Sequence, residues 1–382
     1  MKKSLIVLIF IFFIGNISNA QNSASGKNNP DFFPIAVWAQ NPVNAAAYRE
    51  NGINLFVSVP RLDQTQLDLL KKANMKAICR QNSFGLSLGN DTTIYGWMHG
   101  DEPDNAQMNR ETKKYDPCID PAKIVQNYEN LKQSDPSRPV YLNVGRGVAY
   151  TNWVGRGACR GKIDMYKISN NGYLKACDIA SFDIYPVNST EKDVKDSLWY
   201  VAKGIDNLLQ WSDNTKPVWC WIESTKIGEG GPRKPTPSEV KSEVWMALIH
   251  GASGFGYFCH SFGANFDDAA LLHDSEMIKG VKAINEQVTS LAAVLNTPST
   301  TGYATVTSNN KAIPVDIMTK KLGNTNYIFA VAMKQGTTTA AFSIKKGKKI
   351  EVIGENRMIT VKKGNFSDDF SNCGVHLYKI IK

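Results

Sequence analysis

The sequence predicts an α/β fold, a (β/α)8 TIM barrel followed by a small C-terminal antiparallel β-sandwich. Eight short apolar runs alternate with helical patterns between residues 33 and 296, which is the strand number and length typical of such barrels. Beyond Asn296 the chain changes to short β-rich runs separated by polar and glycine turns, as in a sandwich. A doubly wound open sheet is the alternative. It is disfavoured because no glycine-rich phosphate turn follows any strand.

The first twenty residues have the pattern of a secretory signal peptide. Lys2 and Lys3 precede an apolar run over 5–14, and Ser18-Asn19-Ala20 supplies small residues at the cleavage position. The run is too short to span a membrane, which disfavours the alternative of an N-terminal anchor. We therefore expect a secreted or periplasmic monomer without a transmembrane segment after cleavage. The predicted domains are a signal peptide over 1–20, a catalytic barrel over 21–298 and a sandwich over 299–382.

Each barrel strand is predicted from a short apolar run, and each helix from apolar residues that recur every three or four positions. The predicted strands cover 33–38, 53–59, 76–81, 94–100, 139–145, 179–186, 217–222 and 254–260. The predicted helices cover 43–50, 62–74, 121–134, 194–211, 238–250 and 276–295. Only a short connection is expected between the third and fourth strands. An irregular insertion follows the fifth strand as far as Lys175.

The C-terminal region is predicted to form strands over 305–308, 313–319, 327–333, 339–344, 350–353, 358–361 and 375–380. It also carries most of the positive charge. Residues 299–382 contain thirteen Lys or Arg and five Asp or Glu, whereas the whole chain has a net charge of +9. A solvated lysine-rich surface is the favoured explanation, and an anionic polysaccharide or envelope partner is the alternative. No basic groove motif indicates nucleic acid.

The seven cysteines form no CxxC pair and no zinc spacing with histidine. Those in predicted strands are expected to be small core residues. Three others lie in or beside the long loops: Cys118, Cys159 and Cys177. In an oxidising compartment we expect some of these three to form a disulfide that braces the loops, with the connectivity left open.

Two glutamates follow apolar strands in matching settings. Glu102 ends the segment IYGWMHGDE, and Glu223 ends the segment VWCWIE. A carboxylate at a buried strand end is unfavourable unless a site uses it. Side chains at the carboxyl ends of barrel strands form the active site, and hydrolysis of a glycosidic bond requires two carboxylates. The alternatives are a helix N-terminal carboxylate for Glu102 and, for Glu223, an ion pair with Lys226 or Arg233.

These segments resemble the retaining glycoside hydrolases of the (β/α)8-barrel clan A type with a C-terminal β-sandwich. The segments FDIYP at 182–186 and GVHLYKI at 374–380 share the resemblance, which covers about residues 33–380 in architecture. It implies that Glu102, after strand four, is the acid/base and that Glu223, ending strand seven, is the nucleophile. It also implies that Tyr185 touches the nucleophile. Many members have Asn before the acid/base, where this chain has Asp101.

The expected function is that of a secreted glycoside hydrolase that cleaves β-glycosidic bonds in a poly- or oligosaccharide by double displacement. One carboxylate must be ionised to attack the anomeric carbon, and the other must carry a proton for the leaving oxygen. Retention predicts carboxyl groups about 5–5.5 Å apart. The alternative is a catalytically inactive barrel that binds glycans. Substituting either glutamate separates the two, because a binder keeps its affinity and an enzyme loses turnover.

Further polar and aromatic residues at or near strand ends are predicted to contact the substrate: Asp101, Tyr185, Trp38, Arg80, Asn143, Trp153, Trp221 and His260. Aromatic faces suit the apolar side of a sugar ring. Core packing is an equal alternative for Trp38 and Trp153, as a structural ion pair is for Arg80. Trp219 and Trp221 share side-chain parity with Glu223, so two large rings are expected to crowd the barrel interior.

No cofactor and no metal are expected. The five histidines show no HxH or HExxH spacing, and no GxSxG elbow of a serine hydrolase occurs. Carbohydrate is therefore the expected partner.

Overall fold

The computed structural model describes residues 29–160 and 162–381, and in them eight parallel strands close into a barrel. The predicted (β/α)8 barrel is therefore confirmed. The predicted signal peptide over 1–20 lies outside the described residues. The strands are β1 Ile35–Trp38, β2 Leu55–Val59, β3 Lys76–Cys79, β4 Ile94–Met98, β5 Val140–Val144, β6 Ile179–Asp183, β7 Val218–Glu223 and β8 Gly254–Phe258.

Strand pairing follows the order of the chain, and β8 closes the barrel against β1, where Phe255 lies opposite Ile35. Parallel strands that are covered on both faces need nearly continuous apolar residues. β1 and β5 have this character and are buried along their whole length. Because all eight strands run in one direction, their carboxyl ends meet at one rim of the barrel.

The α-helices are α1 Ala45–Glu50, α2 Gln64–Lys72, α3 Ser83–Ser87, α4 Pro121–Ser134, α5 Tyr200–Trp211, α6 Pro237–Ile249, α7 Ala270–His273, α8 Ser275–Ser290 and α9 Ala292–Leu295. Local sequence determines where several of them begin. Thr236 and Glu239 form a capping box at the start of α6, with Pro237 at its first position. Asp63 and Asp274 accept hydrogen bonds from the first turns of α2 and α8.

Two connections differ from the prediction, and the irregular insertion after β5 agrees with it. The short connection after β3 contains α3, which begins where Asn82 Oδ1 accepts a hydrogen bond from Gly85 N at 2.7 Å. α5 begins at Tyr200 rather than at residue 194, because the preceding segment runs through turns. The insertion after β5 consists of short 3-10 turns between Arg146 and Ala176. These loops lie at the rim formed by the carboxyl ends of the strands.

Both tryptophans of β7 pack inside the barrel. The neighbouring strand β8 carries Gly254 and Gly256, where a Cβ atom would approach the rings of Trp219 and Trp221 to 2.6 and 2.1 Å. Glycine on β8 therefore supplies the room that the two rings need. Trp221 Nε1 also donates to the hydroxyl of Tyr141 at 2.9 Å. The expected crowding is thus relieved by the adjacent strand.

The C-terminal strands are β9 Ala304–Ser308, β10 Val315–Leu322, β11 Thr325–Ala332, β12 Thr337–Ile344, β13 Lys349–Val352, β14 Arg357–Thr360, β15 Asn365–Ser371 and β16 Val375–Ile381. They form a five-stranded sheet, β10-β11-β16-β13-β14, and a three-stranded sheet, β15-β12-β9. Their pairings are antiparallel, so the predicted sandwich is confirmed. The domain limit at 298–299 stays a prediction, with α9 ending at Leu295 and β9 beginning at Ala304.

β15 is a strand that the sequence analysis missed. Its sequence, NFSDDFS, contains only two apolar residues, so the alternation that signals a strand is weak. Phe366 nevertheless stacks on Phe342 of β12 at 4.5 Å between ring centroids. The two phenylalanines of β15 contribute to the core of the sandwich.

α6 lies between the barrel and the five-stranded sheet. The ring of Trp245 contacts Phe329 of β11 at 5.4 Å, and Ser242 Oγ donates to the carbonyl of Cys373 at 2.8 Å. The helix is therefore buried on most of its circumference. Across the part of the chain that the structure describes, no helix is both long and apolar enough to cross a membrane.

Candidate active site

A cleft of about 520 Å³ opens at the carboxyl ends of the barrel strands. Its walls come from the loops after β4, β5, β6 and β7. Acidic, basic, aromatic and amide side chains line it together: Glu102, Asp183, Arg146, Arg156, Trp153, Tyr185, Asn105 and Asn188. Barrel enzymes place their reacting groups at this rim, so the cleft is the candidate active site.

Glu102 lies in the loop after β4, four residues beyond Met98, rather than at the strand end itself. Its backbone φ is 43°, a left-handed conformation that costs a non-glycine residue on the order of 1 kcal/mol. The Glu102 N–H donates to the carbonyl of Asn143 at 3.1 Å. Its carboxylate accepts from Asn105 Nδ2 at 2.8 Å and lies 3.4 Å from Arg156 Nη2. These contacts hold the carboxylate in the cleft.

Asp183, the last residue of β6, lies beside Glu102. Both carboxyl groups line the cleft, and they are close enough to share a hydrogen bond once one of them carries a proton. Enclosure in the cleft, followed by repulsion from Glu102 and Asp101, holds the pKa of Asp183 well above its usual range, and Arg146 opposes this shift. The pair can therefore hold a proton next to a molecule bound in the cleft.

Asn143 of β5 connects Asp101 with Asp183, which lines the cleft. Its Nδ2 donates to Asp101 at 3.0 Å and to Asp183 at 3.4 Å, and its Oδ1 accepts from Ser181 Oγ at 2.9 Å. Asp101 is exposed to solvent, although neighbouring protein groups partly enclose its carboxyl group. This enclosure, followed by repulsion from Glu102, raises the pKa of Asp101, and contact with solvent limits the shift.

Asp104 ties the loop after β4 to the loop after β5. Its two carboxylate oxygens accept from Gly145 N at 2.9 and 3.0 Å, and Oδ2 also accepts from the Tyr166 hydroxyl at 2.8 Å. Burial, followed by repulsion from Glu102, raises the pKa of Asp104 to about 7. Because Asp104 is almost fully buried, it positions the loops rather than meeting a ligand.

A disulfide braces the same two loops. Cys118 and Cys159 are bonded, with their Cα atoms 5.8 Å apart, which confirms the predicted disulfide among the loop cysteines. Cys177 is buried and free. Near the bridge, Arg156 N donates to Asn105 Oδ1 at 2.8 Å. The disulfide therefore helps to hold the Arg156 guanidinium close to the acidic groups of the cleft.

Glu223, the last residue of β7, is fully buried and is not among the described residues that line the cleft. Its carboxylate accepts three hydrogen bonds, from Val187 N at 2.6 Å, Asn188 N at 2.8 Å and Asn188 Nδ2 at 2.6 Å. Burial raises the pKa of Glu223 to about 7, although these three bonds favour the charged form. The alternative of an ion pair with Arg233 fails, because Arg233 pairs with Asp196 and Glu239.

Glu243 of α6 contacts Glu223 from the layer between the barrel and the helix. Both residues are fully buried, and their carboxyl groups form a hydrogen bond only if one of them carries a proton. Without that proton, neither Glu243 oxygen has a partner among the described residues. Burial, followed by the charge of Glu223, holds the pKa of Glu243 well above its usual range.

The structure brings together some of the predicted site residues. Glu102, Trp153 and Tyr185 line the cleft. Asn143 is hydrogen-bonded to Asp183 of the cleft lining and to Asp101. Their predicted roles in binding or catalysis stay predictions.

Other predicted residues lie elsewhere. Trp38 and Trp221 pack edge to face at 4.8 Å in the barrel interior, which disfavours a substrate contact for Trp221 and fits the core alternative for Trp38. Arg80 is exposed, with Nη2 close to Gly100. His260 lies beneath exposed aromatic rings in the loop after β8.

Several cleft residues were missed by the sequence analysis: Asp183, Arg146, Arg156, Asn105 and Asn188. A signal existed for Asp183. Asp183 and Tyr185 are two residues apart on the predicted sixth strand, a spacing that places both side chains on one face. The arginines and amides lie in irregular loops, where no periodicity marks the direction of a side chain.

Within residues 29–160 and 162–381, no group of three or more His, Cys, Asp or Glu is arranged to hold a metal ion. The chemistry of the cleft is therefore argued from its carboxyl, guanidinium, amide and aromatic groups.

Fold and cleft together define a (β/α)8-barrel protein with a cleft lined by carboxyl and guanidinium groups. Similar solved structures include an α-amylase from Geobacillus thermoleovorans complexed with acarbose, with a TM-score of 0.55 and 12% identity over 92% of this chain and 99% of that chain. AmyP in complex with maltose has a TM-score of 0.55 and 10% identity over 92% and 96% of the two chains. A noncanonic maltogenic α-amylase from Thermotoga neapolitana has a TM-score of 0.51 and 8% identity over 92% and 99%.

No protein-family model matches the chain, and no curated protein matches it. At identities this low, the likeness to the α-amylases shows a shared fold and nothing finer.

Proposed function

We propose that the protein is a glycoside hydrolase that cleaves O-glycosidic bonds in a poly- or oligosaccharide. The observation that carries this proposal is that two carboxyl groups, Glu102 and Asp183, line one open cleft at the carboxyl ends of the barrel strands. Glycosidic hydrolysis needs two carboxyl groups at one site, one of them protonated. Solved structures of similar fold include an α-amylase complexed with acarbose and AmyP in complex with maltose, which agrees with a carbohydrate ligand.

In this proposal Glu102 is the acid/base. It gives a proton to the glycosidic oxygen as the bond to the anomeric carbon breaks, and it later takes a proton from the attacking water. Asn105 Nδ2 and Arg156 Nη2 both approach Glu102 Oε2, so they fix the orientation of the carboxylate. Tyr185 and Trp153 supply aromatic walls for the sugar ring.

Two carboxylates are candidates for the partner of Glu102. Glu223 as the nucleophile of a retaining mechanism stays a prediction, and its burial beneath Val187 and Asn188 disfavours direct attack on a sugar. Asp183 lies in the cleft itself, so we propose Asp183 as the partner. A sugar ring that enters between Glu102 and Asp183 would separate them, and retention requires about 5–5.5 Å between the carboxyl groups.

Linkage, export and oligomeric state remain proposals that rest on the sequence. A neutral β-linked glucan or galactan is the preferred substrate because residues 21–298 carry no excess of basic residues. Export follows from the N-terminal pattern. The Cys118–Cys159 disulfide agrees with an oxidising compartment. We also propose a monomer.

A substrate panel with product analysis tests the proposal. Purified protein is incubated with β-glucans, galactan, xylan, α-glucans and aryl glycosides, and the anomer first released is followed by NMR. We expect hydrolysis of at least one polysaccharide with retained configuration. If the protein binds a glycan and cleaves nothing, the inactive-barrel alternative is correct.

Three variants assign the carboxylates. Glu102→Gln should lose turnover. With Asp183 as the partner, Asp183→Asn should lose it equally, while Glu223→Gln keeps most of it. The clan resemblance makes the opposite prediction, in which Glu223→Gln abolishes turnover and Asp183→Asn does not.

A further inference from the structure

Two phenylalanines are exposed on the loop after β8. Phe262 and Phe266 are 55% and 62% exposed, and their rings contact at 5.4 Å. The buried ring of His260 lies nearly parallel to both, at 5.8 and 6.2 Å. We call Phe262, Phe266 and His260 the aromatic platform. Contiguous exposed rings of this kind mark a binding surface, since a folded chain gains nothing from leaving them in water.

The loop that carries the aromatic platform is held in shape. Ser261 and Asp267 exchange two backbone hydrogen bonds, at 2.8 and 3.0 Å, which close a tight hairpin around the phenylalanines. The Asp267 carboxylate accepts from Ala269 N at 3.0 Å and contacts His273 Nδ1 at 2.7 Å. A loop fixed in this way loses little conformational entropy when a ligand binds to it.

The aromatic platform adjoins the cleft. Phe262 N donates to the carbonyl of Ile227 at 2.7 Å, and Ile227 lines the cleft. The ring of Phe258 lies 6.1 Å from Phe262 and 5.3 Å from Tyr185, which also lines the cleft. Aromatic rings therefore run without interruption from the cleft wall to the exposed phenylalanines.

We propose that the aromatic platform binds further sugar units of the glycan whose scissile bond lies in the cleft. This inference rests on the proposed function and narrows its substrate class to polymers or long oligosaccharides. The C–H face of a pyranose packs flat on an aromatic ring, and the chain of rings from Tyr185 to Phe262 gives the direction in which the glycan extends. A protein partner fits less well. Two phenylalanines bury at most about 500 Å², below the roughly 800 Å² per partner of a stable interface.

Kinetics on long and short substrates test this inference. The double variant Phe262→Ala/Phe266→Ala is compared with wild type on the preferred polysaccharide and on an aryl monoglycoside. Loss of two stacking contacts should lower kcat/KM roughly tenfold more for the polysaccharide than for the aryl glycoside. The double variant Phe262→Tyr/Phe266→Tyr keeps both aromatic faces, so its kcat/KM on the polysaccharide should stay close to the wild-type value. Met358→Ala, which removes another exposed apolar side chain far along the chain, is the matched control.

An equal loss on both substrates, or no loss on the polysaccharide, overturns the inference. If wild type cleaves no glycan, the proposed function fails. The inference about the aromatic platform is then tested separately, by measuring oligosaccharide binding. Calorimetric titration with maltohexaose, cellohexaose and xylohexaose should then show affinity in wild type that the double alanine variant loses. The inference is overturned if wild type and the double alanine variant bind with equal affinity, or if wild type binds none of the three oligosaccharides. It is also overturned if wild type forms a dimer that the double variant does not form.

Discussion

The carboxylates that follow β4 and β7 are held in opposite ways. Glu102 lies in a strained left-handed backbone within an open cleft, beside a second carboxyl group. Glu223 is fully buried, and three N–H donors occupy its oxygens. Strain and like-charge contacts are retained where function requires them, whereas a saturated carboxylate stabilises its loop. Position at or just after a strand end therefore does not distinguish a carboxylate that lines the cleft from one that is buried.

The largest effect is expected for Glu102→Gln, which tests whether the carboxylate in the cleft is needed for turnover. Loss of general acid/base catalysis should lower kcat/KM by about 10²- to 10⁴-fold. Because the variant also removes a repulsion with Asp183, the free energy of unfolding should stay the same or rise. Initial rates and urea unfolding measure the two effects. Wild-type turnover in Glu102→Gln would show that the cleft pair is not catalytic.

The second prediction concerns the brace on the β4 side. The Cys118→Ser/Cys159→Ser variant opens a bridge between residues 41 apart, which should lower the free energy of unfolding by about 4 kcal/mol in the loop-entropy model. Turnover should fall as well, since Arg156 is no longer held near Glu102. Reduced wild type should behave like the variant in the same unfolding experiment. If neither the double variant nor reduced wild type loses stability, the Cys118–Cys159 disulfide does not brace the loops.

The third prediction concerns the β7 side. Glu223→Gln keeps the shape of the side chain but places an amide nitrogen against N–H donors. One acceptor is lost, so the free energy of unfolding should fall by about 1–3 kcal/mol. The Asn188→Ala variant removes one of the same donors, so its free energy of unfolding should fall by less. A variant as stable as wild type would mean that Glu223 is not the anchor of the loop after β6.

The smallest effect is expected for Glu243→Gln, and it depends on pH. The pKa of Glu223 is raised to about 7 in the folded protein, against about 4.3 for an unperturbed glutamate. The folded state therefore holds protons that the unfolded chain has released, and the buried pair costs stability increasingly as pH rises from about 4.3 to 7. A glutamine at 243 donates to Glu223 without needing that proton.

Glu243→Gln should therefore raise the free energy of unfolding by about 1 kcal/mol at pH 8 and have little effect at pH 4. Urea unfolding at the two pH values measures the difference. Equal effects at both would show that the pair does not share a proton.

The sequence predicted the barrel because its strands are continuous apolar runs, and it predicted Glu102 because a carboxylate after such a run is conspicuous. It did not predict Asp183, because this carboxylate lies inside the predicted strand over 179–186, on the same face as Tyr185, rather than at the end of that strand. The sequence also could not predict the direction in which the Glu223 side chain points. That direction depends on N–H groups of the loop after β6, whose backbone path has no periodic signal. β15 was missed because its polar residues face solvent while only two phenylalanines reach the core.

The burial of α6 on both sides determines how separable the two halves of the chain are. Phe329, Val331 and Leu377 of the five-stranded sheet belong to the same apolar core as the barrel and its helices. A chain cut after residue 298 would expose Trp245 and its neighbours to water and would aggregate. The C-terminal sheets are therefore not an interchangeable module. Exchanging these sheets between barrel proteins would succeed only if the side of α6 that contacts them were exchanged as well.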